Sequence, residues 1–167
     1  MKAKRKILSI LLVVCLAFML VPTTAFAAGE AAFEVIDTEG NTTQYVTVQE
    51  ARKAMKDGYT LKLLKDYVST PDYNFGISID GNIRGITIDL NGCSVTSNQN
   101  NGYALKLEQN YGGARDNTVT IKNSGNKQSV LASSGYQITT RSGDSRYNQI
   151  IKLEGDIVFQ NIAEGVE

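Results

Sequence analysis

The 167-residue sequence predicts an all-β chain folded as a parallel solenoid, in which every strand pairs with its counterpart one rung away. Three observations predict it. Beyond Gly58, strand-length segments of alternating apolar and polar residues follow one another between Gly, Asn, Asp and Ser. No second convincing helical periodicity interrupts them, which disfavours an α/β arrangement. The segments also recur in a fixed order, which separates a solenoid from a sandwich or a barrel.

Taken in order, the chain begins with a leader. Met1-Lys2-Ala3-Lys4-Arg5-Lys6 is basic, Ile7 to Val21 is uncharged, and small residues end in Ala25-Phe26-Ala27-Ala28. That is the order of a secretory signal, with Ala25 and Ala27 as the peptidase recognition pair and cleavage expected after Ala27. A membrane span is the competing reading, but the run is shorter than the roughly 20 apolar residues a bilayer core requires. A lipoprotein signal ending at Cys15 fits less well, because Val14 is not the small residue such signals place before the cysteine.

Removing residues 1–27 changes the composition. The 17 basic residues lose Lys2, Lys4, Arg5 and Lys6, leaving 13 against 17 acidic, a net charge of −4. A mildly acidic chain argues against nucleic acid as a partner. Cys15 also leaves, so Cys93 remains as a single thiol with no internal disulfide partner. Nothing later approaches an apolar span, so the chain is not expected in a membrane once the leader is gone.

Residues 28–45 are mixed. Ala31 to Ile36 reads as an edge strand and Glu39-Gly40-Asn41 as a turn. Thr47 and Glu50 then have capping-box spacing, and Val48, Ala51 and Met55 recur at helical spacing before Asp57-Gly58, which predicts a short helix over residues 48–56. After it come three strand sets. Residues 77–80, 105–108 and 151–154 share the form apolar, polar, apolar, acid, and residues 86–89, 119–122 and 157–160 make a second set. Ser94-Val95 and Ser129-Val130 make a third. Residues 98–102, 109–116 and 141–148 are expected to leave the coil as loops of variable length.

Asp57 to Asp66 after that helix, Ile86-Thr87-Ile88-Asp89-Leu90-Asn91-Gly92, and Val119-Thr120-Ile121-Lys122-Asn123-Ser124-Gly125 together resemble the right-handed, pectate-lyase-like β-helix regions of large surface proteins from Gram-positive gut bacteria. The resemblance covers roughly residues 46–162 and implies a fold more specifically than a function, since such β-helices carry lyases, hydrolases, adhesins and inert stalks. With the signal peptide over 1–27 and an N-terminal segment over 28–45, the expected β-helix domain runs over 46–167, and the resemblance implies that its helix covers the open end of the coil. The far end departs from the family, reaching Glu167 without a terminal cap or wall-anchoring signal, so a fragment of a longer protein is expected.

The chemistry-bearing residues are few. With no histidine, Ser-His-Asp and Cys-His arrangements are impossible. Cys93, two residues before Val95, is expected to face the core as an inert thiol. The rung register would stack Asp80, Glu108 and Glu154 about 4.8 Å apart, a column that a calcium ion could relieve. The plainer reading is that these strand-end acids face water, so no metal, cofactor or catalytic residue is assigned. Resemblance to β-helix lyases draws attention to Arg84 and Arg115 as bases, and to Asn123 and Asn161 as a stacked amide pair inside a turn. Tyr103, Tyr111, Tyr136 and Tyr147 lie in or beside loops and offer platforms for sugar rings. The expected function is a secreted, non-catalytic module that adheres, contacts glycans or host and cell-wall components, or acts as a spacer. The alternative is a carbohydrate-active enzyme, a polysaccharide lyase or glycoside hydrolase.

Overall fold

A computed structural model describes residues 29–69, 75–80, 82–109, 117–142 and 149–162. The leader, with Ala25 and Ala27, lies outside the described residues, as do Arg115, Tyr111 and Tyr147. Among the described residues, thirteen strands and one short helix follow one another: β1 (Phe33–Ile36), β2 (Thr42–Tyr45), α1 (Val48–Ala54), β3 (Thr60–Leu63), β4 (Tyr67–Val68), β5 (Phe75–Ile79), β6 (Thr87–Asp89), β7 (Val95–Ser97), β8 (Tyr103–Gln109), β9 (Asn117–Lys122), β10 (Ser129–Ser133), β11 (Ile138–Ser142), β12 (Gln149–Glu154) and β13 (Ile157–Asn161). The chain is all-β in class, and its strands pair in parallel apart from the antiparallel pairings of β1 with β2 and with β3.

From β3 onward the chain visits three sheets in rotation. Their strand orders are β12-β9-β6-β3-β1-β2, β13-β10-β7-β4 and β11-β8-β5, so each strand pairs with one three places earlier in the chain. Parallel in-register pairing places like side chains in columns. Leu61, Ile88, Ile121 and Leu153 are successive partners in the first sheet, Val95, Leu131 and Phe159 in the second, and Ile77, Leu105 and Ile138 in the third. The alternation predicted for β9 appears as strictly alternating buried and half-buried positions. Apolar side chains buried from all three sheets form one core.

The first end of this stack is closed by a separate device. β1 pairs antiparallel with both β3 and β2, so it lies inside the sheet and the edge position falls to β2. Its turn is held by Asp37, whose Oδ1 accepts from the Glu39 and Asn41 amides at 2.8 and 2.9 Å. The Asn41 side-chain amide donates to Oδ2, and these bonds hold the Asp37 carboxyl below its ordinary pKa. Helix α1 begins where the capping box predicts. The Thr47 hydroxyl accepts from the Glu50 amide and donates to the Glu50 carboxylate. It ends at Ala54, two residues before the expected boundary, because Met55 is already extended. Val48, Ala51 and Met55 are all buried in the core, as their spacing predicts.

Strand grouping differs from expectation in the last circuit. Residues 151–154 pair with β9, in the sheet of β6, and not with β8; residues 157–160 pair with β10, and not with β9. The missing partner of β8 is β11, whose Ile138-Thr139-Thr140-Arg141-Ser142 has one strongly apolar residue and so lacks the alternation that marks its neighbours. The third set is slipped by one residue: Val95 pairs with Leu131, not with Val130. Short turns between sheets leave sequence spacing a poor guide to register.

Candidate functional site

The turns carry most of the polar order. Asn123, just after β9, is bonded to the circuits on either side. Its Oδ1 accepts from the Gly92 amide at 2.7 Å and the Gly125 amide at 3.0 Å, while Nδ2 donates to the carbonyls of Lys127 and Asp156 at 2.7 and 2.9 Å. Both oxygen lone pairs and both amide protons are used. Asp89, buried at the end of β6, accepts from the Asn91 and Ser124 amides through Oδ1, and Lys122 Nζ lies 3.5 Å from Oδ2. The expected partner of Asn123 is corrected: Asn161 ends β13 and pairs with Ser133 in another sheet. Asn123 instead acts on turn backbones, which the resemblance did not specify.

The expected acid column loses Glu154, while Asp80 follows Ile79, whose partner Leu107 precedes Glu108. Glu108 is opposite Arg141 in the third sheet, whereas Glu154 is opposite Lys122 in the first, so the two acids belong to different columns. Lys106 forms an ion pair with Glu108, and the backbone amide of Arg84 donates to Asp57 Oδ1 at 2.9 Å. Among the described residues, no group of three or more His, Cys, Asp or Glu is placed to hold a metal ion. Cys93 lies in the turn before β7, not in a strand, and packs partly buried against the core. Burial, with Asp66 adding to it, pushes its thiol pKa up and keeps it protonated.

What the fold does assemble is an aromatic pair. Tyr103 opens β8, and Tyr136 stands two residues before β11, in the corresponding place one circuit later. The two rings lie with centroids 6.2 Å apart and planes 7° from parallel. Tyr136 is 70% exposed and Tyr103 is half-buried. The preceding turns lock this register. Gly135 sits directly over the turn beneath it, where a Cβ would come within 2.5 Å of the Gly102 carbonyl oxygen. Ser134 Oγ donates to the Gln99 carbonyl at 2.8 Å, and the Leu105 amide donates to the Gln137 carbonyl at 2.9 Å. Asn98, Asn100 and Asn101 are exposed in the adjoining turn, with amide groups able to bond hydroxyls.

Of the four tyrosines that the sequence singles out, the structure thus brings two together. A third feature was not anticipated: Ser69, Ser97 and Ser133 form a buried column at the ends of β4, β7 and β10, with Ser69 Oγ donating to Ser97 Oγ at 3.4 Å. The repeat of Ser at the end of Val-Thr-Ser and Leu-Ala-Ser carries the signal, once the register is known.

Fold and surface define an all-β protein of mostly parallel strands with a stacked tyrosine pair, one ring of it exposed. Comparison with family models, curated proteins and solved structures found no match for this chain. No helix among the described residues is long and apolar enough to cross a membrane.

Proposed function

We propose that this chain is a secreted, non-catalytic module built as a right-handed parallel β-helix, which contacts glycans at a bacterial surface through Tyr103 and Tyr136. The observation that carries it is the aromatic pair: parallel rings, one of them largely open to solvent, held by interlocked turns. A pyranose presents C–H groups on one face, which pack on an aromatic ring, and equatorial hydroxyls at its edge, which suit the neighbouring Asn side chains. The rotation through three parallel sheets supports the β-helix reading, and the leader composition supports an extracellular address.

Binding of the leader-free chain to a panel of bacterial and host polysaccharides, followed by isothermal titration, tests the proposal. Tyr136→Ala is expected to weaken binding about tenfold, equivalent to ~1.4 kcal/mol, with an unchanged melting temperature, because an exposed ring contributes little to the core. Absence of binding to every glycan would leave only the spacer role. Release of unsaturated, ultraviolet-absorbing products from pectin or glycosaminoglycans would replace the proposal with the lyase reading.

A further inference from the structure

The hairpin of β1 and β2 and the exit of α1 enclose a recess of about 150 Å³. Strand alternation builds it. Phe33 lies opposite Tyr45 and Val35 opposite Thr43, so Asp37 and Asn41, two residues further along each arm, return to the same side. Buried Val35 and half-buried Ala54 make part of the lining apolar, and Tyr45 and Tyr59 add two aromatic side chains. Among the described residues, no basic side chain lines it. The walls are held from behind. Tyr45, Ala54 and Tyr59 pack against the core, the Thr87 amide donates to the Tyr59 carbonyl at 3.0 Å, and a Cβ on Gly58 would stand 3.0 Å from the Thr38 methyl, so the helix exit abuts the hairpin turn. Asp37 forms no ion pair among the described residues. Hydrogen bonds, from the Asn41 side chain first and from turn amides after it, keep its carboxyl ionised, so its charge stands without a counterion.

We infer that this recess binds a primary ammonium group on an alkyl stem, the chemistry of a lysine side chain, against Tyr45 and Tyr59 and beside the Asp37 carboxylate. The rings attract a cation through their negative faces, and the methylenes of the stem pack on ring and methyl surface. Asp37, Asn41 and Thr43 offer oxygen acceptors to the three N–H donors of the group. Other ligand classes fit less well. An anion meets the carboxylate with no basic side chain to receive it. A hard cation such as calcium takes about six to eight oxygens, more than one carboxylate and its neutral neighbours supply. A neutral group leaves the carboxylate partly desolvated and without a counter-charge. Size limits the ligand as well. An apolar cavity of about 150 Å³ holds benzene, about six heavy atoms, so the recess takes the end of a side chain while the rest of the ligand stays in solvent.

Titration of the purified chain with n-butylammonium chloride, followed by two-dimensional amide NMR, tests the inference. The amide signals of the hairpin turn, Tyr45 and Tyr59 are expected to shift together and saturate with a dissociation constant on the order of 1 mM. n-Butanol, of the same shape without the charge, and tetramethylammonium, charged but without N–H donors, are each expected to bind at least about tenfold more weakly. Asp37→Asn keeps an oxygen for the Glu39 and Asn41 amides while removing the charge, and should weaken butylammonium binding about tenfold. Tyr45→Leu keeps apolar bulk without a ring and should weaken it about threefold. Amide dispersion of each variant separates lost binding from unfolding, and the comparison with n-butanol needs no variant. Butanol or tetramethylammonium binding as tightly as butylammonium overturns the inference. So do shifts confined to other parts of the chain, no saturation by roughly tenfold that concentration, or unchanged affinity in a folded Asp37→Asn chain.

Discussion

Asn123 has a structural consequence out of proportion to its size. A side chain of four polar sites, each bonded to backbone in a different part of three consecutive turns, works as a clasp between circuits. Replacing it with Ala leaves two amide donors and two carbonyls in a partly buried turn without their partner. Asn123→Ala is therefore expected to lower unfolding free energy by about 2–4 kcal/mol, read from urea denaturation. Asn123→Asp keeps the acceptor but sets a carboxylate oxygen against the Lys127 and Asp156 carbonyls, so it should cost at least as much as Ala. Asparagine in a turn was visible from the residues alone; which backbone groups it reaches was not, because those groups come from segments some thirty residues away.

At the level of elements, the turns and not the strands determine how closely circuits approach. Gly125 lies against the Asn91-Gly92 turn, where an added Cβ would stand 2.5 Å from the Asn91 carbonyl carbon and 2.7 Å from its oxygen. Both are backbone atoms of a turn held by Asp89 and Asn123, so relief requires moving one circuit against the next. Gly125→Ala is expected to destabilise by about 2–4 kcal/mol, measurable as a lowered denaturation midpoint, while the adjacent exposed Asn126→Ala should be close to neutral. Helix α1 was readable nearly to its ends because its cap and its buried positions are local signals. Strand β11 was not, since its place beside β8 depends on pairing rather than on its own composition.

Across the whole molecule, burial rises from the covered end into the middle and falls at the open one. Along the column Leu61, Ile88, Ile121 and Leu153, the first three are fully buried and the last is half exposed. Truncation to Ala is expected to cost about 2–5 kcal/mol at Ile88 and Ile121 and less than about 1 kcal/mol at Leu153, compared by thermal melting in dilute solution. An equal cost at all three positions would mean that another segment covers Leu153.

The all-β class, the capping helix and the core-facing alternation were all present in the sequence, because each follows from period or caps within a few residues. So was the place of Tyr103 and Tyr136, among four tyrosines, in or beside loops. Tertiary structure alone decided which strands share a sheet, that Glu108 and Glu154 are apart, and that the two tyrosines are together. Period-2 patterns specify a strand's face but not its neighbour, and the spacing from rung to rung is set by turns whose length varies. Only the stacked backbones fix the register, and with it every contact between circuits.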